Sequence, residues 1–181
     1  MSQSKPEFKL DEILENLYLE DIRIALLIAN WNMKFNEEMA NSARETLVEF
    51  GIRRENIDTY YVPGAFEMPY VCKKLFEIEL TDEAEDEELD SDLEEDDEAE
   101  FLGYHAAICF ATVIRGETYH FEIVANESAR GIMDVMLEFS KPIINGILTV
   151  NNEEQAYSRA AVAADNKGRE LALSCLQVLA I

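Results

Sequence analysis

Arg115, Gly116, Glu117 and Thr118 run straight into Tyr119-His120-Phe121, so a turn rich in backbone donors precedes one of only two histidines in the chain. Such a turn can hold a phosphate, and an imidazole, which titrates at about 6.5, can give and take protons near neutrality. The run Ala106–Ile114 ahead of it is almost wholly apolar, the pattern of a buried parallel strand. Behind it, Phe121, Val124, Ile132, Val135, Met136 and Phe139 recur at helical spacing among polar residues, which predicts a helix over about Tyr119–Phe139. Gly116 then sits at a strand-to-helix junction, where the N–H groups of Glu117 and Thr118 lack partners and the helix dipole favours an anion. Thr118 adds a hydroxyl donor. The plainer reading makes Gly116 a turn residue and Thr118 the helix cap.

The elements that must position this turn follow from patterning. Ile22–Ala29 reads as a buried strand, Asn36–Phe50 as an amphipathic helix ended by Gly51, and Ile57–Val62 as a strand stopped by Pro63. A helix over about Phe66–Glu79 follows, then a strand over Tyr104–Ile114 and the helix already described. A fourth strand over Ile143–Thr149 and two helices near Glu153–Ala160 and Asn166–Leu179 complete the pattern. Strands alternating with helices predict an α/β fold, a three-layer α/β/α sandwich around a four-stranded parallel sheet. Residues 1–20 read as a loosely held N-terminal arm and 21–181 as one domain.

The formal charge is −23, but fourteen carboxylates and no base fall within residues 81–100, which leaves the rest of the chain at −9. That segment reads as a solvated, disordered acidic insertion in preference to a calcium buffer or a dock for a basic partner. By topology it enters the sheet opposite the ligand-binding edge. An acidic surface excludes nucleic acid as a partner, because such affinity comes from clustered Lys and Arg. Cys72, Cys109 and Cys175 lie in apolar settings without metal-ligand spacing, which fits small core hydrophobes in a reducing cytoplasm and no metal. With no apolar signal core and no run of about 18 apolar residues, no membrane partner is expected.

In open parallel sheets, ligands sit beyond the carboxyl ends of the strands. Those ends carry Asn30-Trp31-Asn32, Pro63-Gly64-Ala65-Phe66-Glu67, the Arg115–Thr118 turn and Thr149-Val150-Asn151. Trp31 can stack on a flat heterocycle or pack on the first helix. Gly64 and Ala65 let a ligand approach the backbone, and Glu67 can accept from hydroxyls, although a helix start would explain all three. Arg159 and Lys167 can supply charge to a phosphate or simply be solvated. His105, at the other end of the third strand, reads as a surface residue.

Taken together, the His120 block, Val62-Pro63-Gly64-Ala65-Phe66-Glu67, Gly146-Ile147-Leu148-Thr149, Glu154-Gln155-Ala156 and Asn166-Lys167-Gly168 resemble the lumazine synthases of riboflavin biosynthesis, in the order and spacing of that family. The resemblance spans roughly Ile22–Val178 and excludes the acidic segment. It implies a flavodoxin-like sheet and condensation of 5-amino-6-ribitylaminouracil with 3,4-dihydroxy-2-butanone 4-phosphate to 6,7-dimethyl-8-ribityllumazine, phosphate and water, without a cofactor. It implies His120 as the proton-transfer group. Trp31, Gly64, Ala65, Phe66, Glu67, Val113, Ile114, Asn145 and Lys167 would bind the substrates, with Gly116, Glu117, Thr118 and Arg159 at the phosphate. It further implies a pentamer or a multiple of pentamers up to sixty subunits, sites shared between neighbours, and riboflavin synthase as a partner. Ala111 stands where a glycine is usual, Asn145 where an aromatic often closes the pocket, and Ala161 where a glycine often follows the arginine. A noncatalytic flavin or lumazine carrier, or a shell protein, would use the same pocket but would not need both His120 and Arg159. A flavodoxin binding flavin mononucleotide expects a hydroxyl-rich loop after the first strand, which Asn30-Trp31-Asn32-Met33-Lys34 is unlike.

Overall fold

The structure, a computed structural model, describes residues 18–85, 103–161 and 166–181, the side chains of 79–85 excepted. Strand β1 is Ile24–Ala29, helix α1 Met33–Glu49, β2 Ile57–Val62, α2 Met68–Glu85, β3 Ala106–Ile114, α3 His120–Phe139, β4 Ile143–Val150, α4 Glu153–Ala160 and α5 Lys167–Leu179. Residues 1–17 of the expected arm, 86–100 of the expected acidic insertion and 101–102 after it lie outside the described residues; α2 itself runs through residues 81–85.

All four strands are parallel, in the order β2-β1-β3-β4. The two-residue period of a strand splits β1 between two cores. Ile24, Leu26 and Ile28 face α1, α4 and α5 through Met39, Leu47, Ala156, Ala172 and Leu176. Ala25, Leu27 and Ala29 face α2 and α3 through Met68, Cys72, Phe76, Ile132 and Val135. Strand β3 divides the same way, Ile108 and Phe110 to one side and Ala107 and Cys109 to the other. The result is the expected three-layer sandwich.

The chain steps outward from β1 to β2 with α1 on one face, then reverses to β3 and β4 with α2 and α3 on the other, as right-handed crossovers require. The reversal opens a crevice between the carboxyl ends of β1 and β3. Close packing keeps the layers tight: a Cβ on Gly168 of α5 would lie 1.9 Å from the Met39 carbonyl oxygen of α1. The cysteines are buried hydrophobes, as expected; burial pushes the Cys175 thiol up to about 12.

Several boundaries move by a few residues, each with a local cause. Helix α1 starts at Met33, not Asn36, because Asn32 adopts the left-handed conformation (φ 58°) and turns the chain three residues earlier. A short 3-10 turn over Ala65–Glu67 precedes α2, which begins at Met68 with Pro69 in its first turn. Asn166 caps α5 instead of starting it, its Oδ1 accepting from Gly168 N at 2.8 Å. Strand β1 begins two residues late and β3 opens at Ala106, after Tyr104 and His105.

His105 is half-buried, which corrects the surface reading. Its Nδ1 accepts from the Arg23 N–H at 3.1 Å, and its own N–H donates to the Arg23 carbonyl at 3.0 Å. Beside it, Tyr104, 1% exposed, donates to Asp58 Oδ2 at 2.8 Å and meets the Tyr60 hydroxyl at 2.5 Å, while Arg23 pairs with the same Asp58 oxygen at 3.1 Å. This polar knot joins the amino-terminal ends of β1, β2 and β3, the edge away from the crevice.

Burial lowers the His105 pKa, opposed by the Asp21 charge and assisted by Arg23. The unfolded chain therefore takes up this proton first, so the histidine's contribution is complete at neutral pH and lost as pH falls below about 6.5. A His105→Gln variant, compared with the parent by urea unfolding between pH 8 and pH 5, is expected to lose less stability over that interval.

Candidate active site

A cavity of about 490 Å³ occupies the crevice, within the usual range for small-molecule sites. Its floor is the carboxyl end of β3, Ala111 to Ile114. One wall is the turn after β1, from which Trp31 projects at 77% exposure. A second wall is Gly64–Glu67, where the chain leaves β2 at Pro63 and closes a 3-10 turn. A Cβ on Gly64 would lie 3.1 Å from Glu67 Oε2 and 3.4 Å from Trp31 Cδ1, so the glycine lies against both side chains. Phe66 is half exposed beside them.

The far wall is the start of α3: Gly116 and Thr118 in the turn, His120 in the first helical position, and Phe121, Ile123 and Val124 following. A helix of 20 residues directs its positive dipole end at this wall. Thr118 does not cap it. The capping position is Tyr119, with helical backbone and no side-chain cap bond, and Thr118 is one of the residues lining the cavity. Among the described residues no hydrogen bond uses the N–H of Glu117 or Thr118.

Arg115, read in sequence only as the edge of the turn, proves to be a latch. Its backbone N–H donates to the Val150 carbonyl at 2.8 Å, and its Nε donates to Asn151 Oδ1 at 3.2 Å. Its guanidinium covers the Phe121 ring with Cζ 4.1 Å from the centroid and pairs with Glu122. That hydrogen bond holds the Glu122 carboxyl below its ordinary pKa. One side chain thus ties the ends of β3 and β4 to the first turn of α3.

Ten of the sequence-derived candidates line this one cavity: Trp31, Gly64, Ala65, Phe66, Glu67, Val113, Ile114, Gly116, Thr118 and His120. Four do not. Glu117 is exposed outside it. Asn145 sits in β4, opposite Cys109, with Oδ1 accepting from the Ile147 N–H at 3.1 Å. Arg159 is exposed on α4 and donates to the Gln155 carbonyl at 3.0 Å, and Lys167 at the start of α5 pairs with Glu170 at 2.7 Å. Among the described residues the lining contains no Lys or Arg. Asn32, placed by sequence at the ligand edge without a role, also lines it, and sequence reasoning missed Ala29, Thr112, Phe121, Ile123 and Val124 as lining residues; the helical spacing of Ile123 and Val124 from His120 was the available signal.

An open parallel sheet with its cleft at the switch point defines an α/β protein of the flavodoxin-like kind, here with an indole on one wall of the cleft and an imidazole on another. The model of the 6,7-dimethyl-8-ribityllumazine synthase family matches residues 21–88 and 93–181, and the chain belongs to that family of riboflavin-biosynthesis transferases. A relative from Ruthia magnifica subsp. Calyptogena magnifica, a 6,7-dimethyl-8-ribityllumazine synthase, is 32% identical over 173 residues, which cover 96% of this chain and 93% of the relative. Among the described residues no helix is long and apolar enough to cross a membrane.

Arg115→Ala removes the latch while leaving the backbone bond to Val150. Amide exchange in the first turn of α3, read at Ile123 and Val124, is expected to quicken several-fold, with exchange in β1 unchanged.

Proposed function

We propose that the cavity is the pyrimidine-binding half of a composite site that condenses 5-amino-6-ribitylaminouracil with 3,4-dihydroxy-2-butanone 4-phosphate. The observation that carries this reading is that His120, Trp31 and the Gly64–Glu67 turn line a single cavity in a chain of the lumazine synthase family. Trp31 stacks on the pyrimidine, backbone groups of Gly64 and Ala65 pair with its amide edge, and Phe66, Val113 and Ile114 complete the apolar surround. Glu67 accepts from the ribityl hydroxyls.

The pyrimidine amine attacks the ketone, and loss of water gives an imine. Loss of the C3 proton then expels phosphate from C4, the resulting enol tautomerises to a carbonyl at C3, and attack of the ribityl-bearing nitrogen on that new carbonyl closes the ring with loss of a second water. His120 carries protons between these steps. Much of the acceleration comes from holding two substrates in register.

Phosphate needs positive charge, and among the described residues the cavity contains no Lys or Arg. The donors of the Gly116–Thr118 turn, with Glu117 held outside the cavity, supply one side of the phosphate site. Arg159 supplies the other, and Lys167 and Asn145 approach the substrates, from a neighbouring subunit. A pentamer or a multiple of pentamers is the assembly this requires in this family. The exposed apolar side chains of α3, Met133 and Leu137, suit burial between subunits. The three free, buried cysteines fit a reducing cytoplasm, and riboflavin synthase, which would consume the lumazine, is the proposed protein partner.

Product absorbance tests this. His120→Ala is expected to lower kcat by about 100-fold or more, and Arg159→Ala to raise KM for the ketose phosphate by roughly 10- to 100-fold. Each variant alone should be poor, yet equal amounts unfolded and refolded together should recover about a quarter of the parent activity, because a site drawing His120 and Arg159 from different chains is intact when both donors are unmodified. No recovery in a properly assembled mixture would sink the shared site. Tight heterocycle binding without turnover in the parent would instead identify a carrier.

A further inference from the structure

Trp31 presents a nearly bare side chain to the cavity, so whatever fixes its direction has to act through its backbone. Asn36, in the first turn of α1, is 0% exposed, and a buried carboxamide is costly unless its donors and acceptor are used. Here they are. Its Nδ2 donates to the Ala29 carbonyl at 2.8 Å and to the Trp31 carbonyl at 2.8 Å, and its Oδ1 accepts from the Thr112 hydroxyl at 2.8 Å. The opposite amide orientation would set Oδ1 against two carbonyl oxygens, so the bonding pattern itself assigns the nitrogen.

The position of these partners gives the contact its meaning. Ala29 is the last residue of β1, where the chain leaves the sheet. Asn36 takes up its carbonyl there and, two residues on, the carbonyl of Trp31 itself. Asn32 turns the chain through a left-handed conformation, donates from Nδ2 to the Thr112 carbonyl at 2.7 Å, and accepts from the Phe35 N–H at 3.0 Å. Thr112, 2% exposed in β3 and part of the cavity floor, is therefore gripped at its hydroxyl by Asn36 and at its carbonyl by Asn32. The Trp31 backbone is clamped between its own helix and the floor of the site.

We propose that Asn36 is a positioning residue which, through the Trp31 carbonyl and Thr112, holds the indole in place as the ring-binding wall of the cavity. It touches no substrate. Its contribution is to set the wall before the ring arrives, so that binding does not have to order it. The consequence for substrate rests on the reading that Trp31 stacks on the pyrimidine.

Trp31 is the only tryptophan in the chain, so its fluorescence reports the wall directly. The experiment compares the parent with Asn36→Leu, Thr112→Val and Trp31→Ala. Nanosecond fluorescence anisotropy, quenching by the ribitylaminopyrimidine, the separate KM values for both substrates and urea unfolding are measured. Asn36→Leu should speed the local motion of the indole and raise KM for the pyrimidine roughly tenfold, with KM for the ketose phosphate unchanged. Thr112→Val, which keeps the carboxamide and removes one of its three bonds, should shift the same two readouts in the same direction by less; it carries the test if Asn36→Leu does not fold.

A purely structural Asn36 would lower the unfolding midpoint and leave indole motion and pyrimidine KM at parent values, and that result overturns the proposal. If Trp31→Ala raises pyrimidine KM while neither network variant does, the anchoring role is wrong and stacking stands. If Asn36→Leu loosens the indole but Trp31→Ala leaves pyrimidine KM untouched, the stacking reading is wrong, and the effect on substrate falls with it.

Discussion

Strands β1 and β3 run side by side through the middle of the sheet, buried on both faces, and every wall of the cavity is reached from their carboxyl ends or from the turn beside them. Because the chain reverses its direction of travel across the sheet at this pair, the helices that follow go to opposite faces. The backbone must part there. A crevice opens where two strands stay hydrogen-bonded but their continuations cannot pack together, and the site is the consequence.

The parting exposes polar backbone at the very place where a ligand needs a dry and shaped surface, and the sequence answers with side-chain amides instead of more sheet. Asn32 and Asn36 satisfy carbonyls that the ladder no longer reaches. A leucine at position 36 would bury more apolar surface but leave two carbonyls and a hydroxyl without their partner, a larger loss than the gain. The strain of the left-handed Asn32 is tolerated because its side chain and carbonyl are both bonded.

Much of this fold was legible because each element declares itself locally. Strand β2 and helix α4 begin and end where Pro63, Ile57, Glu153 and Ala160 suggest, and the alternation of Ile, Ala and Leu in β1 divides cleanly between two cores. Residues carried by compact blocks at the strand ends, Gly64–Glu67 with Gly116, Thr118 and His120, do come together in one cavity. Asn36 was not, since in sequence it is merely a polar residue opening an amphipathic helix; its burial follows from how a three-residue turn folds back on β3. Arg115 was passed over because its partners, Asn151 and Phe121, meet only once β4 lies alongside β3. His105 looked like a strand-end surface residue and is held by Arg23, a residue 82 positions away.

Both active walls are referred to the same strand. The Trp31 wall is tied to Thr112 through Asn32 and Asn36, and the start of α3, which carries His120, is tied to Arg115 through Phe121 and Glu122. Thr112 lies in β3 and Arg115 directly follows it; three residues of extended chain span about 10 Å. The spacing between the Trp31 wall and His120 is therefore referred to a short length of backbone that pairs with β4 on one side and is held at Thr112 by Asn32 and Asn36 on the other. Condensation of two substrates depends on such a fixed separation, because an amine and a ketone held within reach of one histidine need only small motions to react.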